Sequence, residues 1–126
     1  MKDLTNALPP VIADYIAAHN QPDPAAFIDM FAPDALLNDA QREFLGRDAI
    51  RAWADKDVFG DNLKMEPKRV WEHPGGIIVH AKYEGDFDKT NLPDPLILTS
   101  YFRILQGRIA QLIIVFNKTV WEPEKT

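Results

Sequence analysis

The stretch PLILTSYFRILQGRIAQLIIVFN, residues Pro95–Asn117, reads as two strands joined at Gln106-Gly107. Side chains of a strand point alternately to its two faces. In the first strand one face is Leu98, Ser100, Phe102 and Ile104, and the other is Thr99, Tyr101, Arg103 and Leu105. In the second strand Leu112, Ile114 and Phe116 oppose Gln111, Ile113, Val115 and Asn117. The first set on each strand is apolar apart from one hydroxyl, which predicts a core side. The second set carries Tyr101, Ile113 and Val115 among its polar groups. That is too apolar for a wholly wet surface, and it predicts a homodimer formed through this outer face.

Two further strands precede this pair. Leu63–His73 is one, and Pro67 places it at an edge or a bulge. Pro74-Gly75-Gly76 turns it back into Ile77–Glu84, where Ile77, Val79, Ala81 and Tyr83 share one face and Ile78, His80 and Lys82 the other. Gly85–Asp94 is a long polar loop, and Lys118–Thr126 is a polar tail with Trp121 as its anchor.

The N-terminal half reads differently. Residues 1–8 form a loose leader, and Pro9-Pro10 suits a helix start, where the missing N–H groups cost little. Val11, Ile12, Tyr15, Ile16 and His19 follow at the spacing of one helical face. Asn20-Gln21-Pro22 ends this helix, and Asp23-Pro24 caps the next. Phe27, Ile28 and Phe31 are its buried stripe and Pro33 its stop. Ala35–Asp39 is a short strand, Ala40–Leu45 a polar loop, and Gly46 opens a third helix with Ile50 and Trp53 on one face. Three helices grouped ahead of four antiparallel strands indicate α+β. A curved antiparallel sheet wrapping those helices would enclose a cone. Residues 1–126 are read as one domain, with flexible ends at 1–8 and 118–126.

The absence of cysteine removes disulfides, thiol nucleophiles and thiolate metal sites. A net charge of −5 with scattered basic residues argues against nucleic acid and anionic membrane as partners. Asp3 and Asp14 interrupt any apolar run near the start, so the chain reads as cytoplasmic. His19 near a helix end and His73 before a turn are expected to be exposed, and His80 to lie on the outer face. No pair of histidines has metal-ligand spacing. No phosphate loop, nucleophile elbow or dinucleotide fingerprint is present, so no metal and no cofactor are expected.

FAPDALL leading to the short strand, and GRDAIRAW opening the third helix, resemble the SnoaL-like branch of the nuclear transport factor two superfamily. The resemblance runs from about Val11 to Lys118. It implies the cone-shaped fold of that superfamily, which hosts ketosteroid isomerases, polyketide cyclases, an epoxide hydrolase, dehydratases and proteins that only bind. Set beside the isomerases, Tyr15 matches their first-helix tyrosine and Asp39 their general base. Ser100 stands where they carry a protonated aspartic acid, a shorter group and a weaker acid. The charged network of the epoxide hydrolases has no counterpart at Leu98, Ser100, Leu112 and Ile114.

The resemblance therefore implies a pocket for a small hydrophobic carbonyl compound. Asp39 would take a proton beside the carbonyl, and Tyr15, helped by Ser100, would donate to the enolate oxygen. Val79, Ala81, Phe102, Leu112, Ile114 and Phe116 would line it, with Trp53 near the mouth. Each polar residue also has a plain structural reading. Tyr15 can reach water or backbone, Asp39 can pair with Arg42 or Arg47, and Ser100 can bond to backbone. The alternative to an enzyme is a non-catalytic small-molecule binding or dimerisation domain.

Overall fold

The computed structural model describes residues 1–116, so Asn117, Lys118 and the Trp121 anchor lie outside the described residues. Pro10 opens α1 (Pro10–Asn20), which buries Ile12, Tyr15, Ala18 and His19 on one face. Asp23 caps α2 (Pro24–Asp29), its carboxylate accepting from the Ala26 N–H at 3.2 Å.

Helix α2 ends four residues before Pro33, short of the expected stop. Phe31 is already in β2 (Phe31–Asp39), paired with Ile109, and the Ile109 N–H donates to Met30 O at 2.8 Å. Pro33 biases its predecessor away from helical geometry, and the chain takes the extended form earlier than the apolar spacing implied.

The polar stretch Ala40–Leu45 is the second arm of a hairpin. Asp39 pairs with Arg42 across a two-residue turn, and β3 runs Arg42–Leu45. Ala40 and Gln41 both have positive φ, 52° and 73°. This is the geometry of the favoured two-residue hairpin turn, made without its usual Asn or Gly. Gly46, at φ 87°, leads into α3 (Arg47–Trp53), which continues as a π-helical turn over Ala54–Phe59.

The remaining strands are β4 (Lys64–His73), β5 (Gly76–Glu84), β6 (Leu96–Leu105) and β7 (Arg108–Phe116). A short β1 (Lys2–Asp3) in the expected loose leader pairs with Trp71 and Glu72 of β4. One sheet contains them all, in the order β1-β4-β5-β6-β7-β2-β3. It is mixed and not purely antiparallel, because β2 runs parallel to β7. No hairpin joins those two strands; helices and three other long strands intervene, as a parallel pair allows. Pro67 marks a register shift between β4 and β5, as its missing N–H predicted.

The inner face follows the alternation. Val70, Val79, Ser100, Ile114 and Asp39 form one row across β4, β5, β6, β7 and β2. Ile77, Phe102, Leu112 and Leu37 form the next. The helices press aromatic rings onto these rows. Phe27 lies 5.1 Å from Tyr15 and 5.5 Å from Phe31, centre to centre, and Tyr15 meets Phe102 edge-on at 5.1 Å. Such pairs add about 0.5–1.5 kcal/mol each beyond burial.

Candidate functional site

A small open cavity of about 60 Å³ lies between the helices and one end of the inner face. Its polar wall is Tyr15 and His19 from α1, Asp39 from the end of β2, Asp57 from the π-helical turn and Tyr83 from β5. Its apolar wall is Trp53, Val58, Leu63, Leu98 and Ile114. A volume of 60 Å³ admits a few waters or a very small molecule, against roughly 300–1,000 Å³ for a drug-sized ligand. A wider hollow of about 510 Å³ lies under the Gly85–Asp94 loop, and Tyr83 borders both.

Asp39 is placed by its strand and held by its neighbours. Trp53 Nε1–H donates to Oδ2 at 3.0 Å, and Arg42 Nη2 donates to the same oxygen at 2.8 Å. Arg42 also donates to Asp57 Oδ2 at 2.7 Å, so one guanidinium ties β3 to both carboxylates. Among the described residues, Asp39 Oδ1 receives no hydrogen bond. The pairing with Arg42 is the plain structural reading of Asp39, and it coexists with a carboxylate on the cavity wall.

Tyr15 is 2% exposed. Burial, then the charges of Tyr83 and Asp39, push its phenol well above the ordinary range. Its hydroxyl makes no hydrogen bond to another described residue, and it keeps its proton at neutral pH. Tyr83 is raised to about 12, mainly by burial, with the Ser100 hydroxyl acting against the shift and the Asp39 charge adding to it. Its hydroxyl points to Met65 Sδ at 3.9 Å.

Ser100 is 2% exposed but is not part of the cavity wall. It stands two strands from Asp39 in the same row, with Ile114 between them. That is about 10 Å at ordinary strand spacing. Its neighbour in this environment is Tyr83, which takes the wall position that sequence reasoning gave to Ser100.

Of the expected lining, Trp53 and Ile114 face the cavity. Val79, Ala81, Phe102 and Leu112 are buried in solid core instead, because helix rings such as Tyr15 against Phe102 fill the space above the sheet. Phe116 is not a wall residue; it is 43% exposed at the end of β7.

His19 is the largest correction. It is 2% exposed and lines the cavity. Burial is the main cause that lowers its pKa to about 4; Lys64 pushes the same way and the Asn20 contact the other. Its i, i+4 relation to Tyr15 was the signal for this, and the nearby helix end concealed it. Among the described residues, no three His, Cys, Asp or Glu side chains gather as a metal site would need.

Residues 12–112 match the SnoaL-like domain family. None of the curated proteins matches the chain. A candidate polyketide cyclase from Sinorhizobium meliloti is 31% identical, with 86% of this chain and 95% of that one covered and a TM-score of 0.77. A protein of ketosteroid isomerase-like fold from Catenulispora acidiphila, in complex with trimethylamine, is 20% identical over 89% and 88% of the two chains, TM-score 0.73. The epoxide hydrolase/cyclase-like enzyme of pyran ring formation in the polyether salinomycin is 19% identical over 87% and 90%, TM-score 0.71. The last two likenesses are of fold.

Proposed function

The chain belongs to the SnoaL-like domain family, and on that footing we propose that it binds a small, largely apolar carbonyl compound and acts on it as a cofactor-independent isomerase or cyclase. Asp39 is the base and Tyr15 the hydrogen-bond donor. The observation that carries this reading is that both side chains open onto one cavity whose remaining wall is mostly apolar.

The chemistry follows from the two groups. Asp39 Oδ2 is pinned by Trp53 and Arg42, which leaves Oδ1 to take a proton from a carbon beside the ligand's carbonyl. Tyr15, kept protonated by its burial, donates to the carbonyl oxygen as negative charge builds there. Asp39 then returns the proton at a second carbon, or the enolate carbon closes on a second carbonyl and Asp39 returns the proton to the alkoxide oxygen so formed. Either course leaves the protein unchanged and consumes no oxidant or reductant. Ser100 is buried behind the cavity wall and takes no direct part in this reading. The trimethylamine held by the Catenulispora acidiphila protein supports a cavity scaled to small molecules.

A second reading is favoured by one specific observation. The Arg42 guanidinium sits on the Asp39 oxygen, as it would in a non-catalytic binding domain. In both readings Tyr101, Ile113 and Val115 on the outer sheet face meet a second copy of the chain.

Deuterium exchange at the carbon beside the carbonyl, followed by NMR over a panel of small cyclic and open-chain ketones, separates the two. Asp39→Asn should lower the exchange rate by about 10²–10⁴-fold. Exchange that is undiminished in Asp39→Asn rejects the base. Ligands that raise the melting temperature without any exchange leave the binding reading.

A further inference from the structure

Asn20, the last residue of α1, has its amide fixed by the main chain of β4. Nδ2 donates to Met65 O at 2.8 Å, and Oδ1 accepts from the Met65 N–H at 2.9 Å. A flipped amide would set donor against donor and acceptor against acceptor, so its orientation is determined. The same Oδ1 lies 3.1 Å from His19 Nδ1. An amide oxygen only accepts, so Nδ1 carries the ring proton.

Nε2 is therefore the bare nitrogen of a neutral imidazole. Three aromatic rings surround the imidazole, Tyr15, Phe27 and Tyr83, with centres 5.9, 6.2 and 6.1 Å from its own. The nearby cation is Lys64, whose amine donates to Asn20 O at 2.7 Å, and it opposes a second positive charge on the ring. Among the described residues no group hydrogen-bonds Nε2, although the ring lines the cavity. Nε2 opens on the cavity as an acceptor, and a bound molecule that brings a donor would meet it.

We propose that His19 Nε2 accepts a hydrogen bond from a hydroxyl of the bound molecule, which makes the ligand a hydroxylated carbonyl compound and not a plain ketone. This rests on the reading of the cavity as the ligand site. Tyr15 and His19 are one turn apart on the same face of α1. Together they read a donor and an acceptor on one small molecule: the Tyr15 O–H takes the carbonyl oxygen, and His19 takes the hydroxyl proton. Asp39 is left for the carbon-bound proton.

Long-range ¹H–¹⁵N spectra of protein labelled with ¹⁵N-histidine read the tautomer at pH 7, with His19 assigned by its contacts to the Tyr15 ring. A protonated Nδ1 and a bare Nε2 are expected. A protonated Nε2, in either the other tautomer or the cation, overturns the proposal and leaves the ligand site untouched. Titration then compares hydroxyacetone with methoxyacetone, in which a methyl group replaces the hydroxyl proton. Hydroxyacetone should bind about tenfold more tightly and move the Nε2 signal. Methoxyacetone should move the Tyr15 ring signals only. Equal affinity with a static Nε2 signal overturns the proposal but keeps a ketone site. If neither compound moves the Tyr15 signals, the ligand site itself is rejected, and this inference with it.

Discussion

The indole of Trp53 donates to the carboxylate of Asp39 at 3.0 Å, joining the end of α3 to the end of β2 across the cavity. Trp53 packs against Phe27 at 6.4 Å and Phe44 at 6.3 Å, so its position is set by the core and passed on to Asp39. Trp53→Phe keeps most of that packing and removes the donor. Urea denaturation should show a loss of about 0.5–1.5 kcal/mol, the net worth of one hydrogen bond. Ketone exchange should fall further than stability does, because Asp39 would then be held by Arg42 alone. Equal activity at reduced stability would make the indole a packing residue only.

Arg42 bridges Asp39 and Asp57, yet its side chain is 53% exposed. A pair so open to water contributes little to folding. Arg42→Gln should therefore change stability by less than about 1 kcal/mol, and by less still at high salt. Its effect should appear at the cavity, where two carboxylates lose their shared counter-charge and the tie across the mouth is gone. Ligand on- and off-rates should both rise, as stopped-flow binding would show. Unaltered rates would mean that the guanidinium does not limit access.

The acid side of the stability profile should carry the signature of His19. Its folded pKa, about 4, lies below the ordinary 6.5, so the unfolded chain binds more protons between those values. Stability is then fully present above pH 6.5 and is lost as pH falls toward 4, by about 3 kcal/mol in all. The groups facing the ring are the Tyr15 and Tyr83 phenols, both raised by burial, with the Lys64 amine nearby. Denaturation midpoints of the native protein and of His19→Gln should converge as pH drops. Parallel profiles would mean that the ring is not neutral in the folded state.

Much of this could be read from the residues, and the failures share a cause. Alternation gave the inner faces of Leu98–Ile104 and Leu112–Ile114, because a strand's period is local, but it failed at Phe116, which is exposed at the strand end, at Thr99, which is buried on the outer side, and at Ile109, which a register shift turns inward. What depends on distant parts of the chain was out of reach. The parallel register of β2 on β7 needs both strands at once. The Ala40-Gln41 turn uses left-handed backbone at residues that do not advertise it. Filled core over Phe102 and Leu112, against hollow at Tyr83 and Leu98, is decided by where Tyr15 and Phe27 put their rings. His19 was on the right helical face by spacing, and its burial depends on Asn20 reaching Met65, 45 residues away.

Two glycines in turns should respond very differently to alanine. Gly76 has φ +151°, and a Cβ there would run into the Phe102 carbonyl of β6. The backbone of β6 cannot retreat without breaking its pairing on both sides. Gly76→Ala should cost at least about 3 kcal/mol. Gly107, at φ +78°, has nothing within 4 Å of its missing Cβ. Gly107→Ala should cost only the left-handed backbone penalty, about 1 kcal/mol. Thermal melts of the pair measure the difference directly; similar losses would contradict the close approach of Phe102 to the Gly76 turn.

The outer sheet face gives the last expectation. Trp71, Ile78, Tyr101 and Ile113 stand side by side across β4, β5, β6 and β7. Tyr101 is 41% exposed and Val115, one row away, 36%. Arg69 and His80 flank this band on one side and Arg103 and Gln111 on the other. An apolar stripe with a polar rim is the pattern of an interface core, and a two-fold axis through it would set each stripe on its copy. Ile113→Glu places a charge at the centre of that stripe without touching the inner face. Sedimentation should then show a monomer with an unchanged melting profile at low concentration. Leu105→Glu, at the exposed tip of the β6–β7 hairpin, should leave the dimer intact. A dimer that survives Ile113→Glu moves the contact elsewhere, and a native protein that sediments as a monomer at all concentrations removes the second copy altogether.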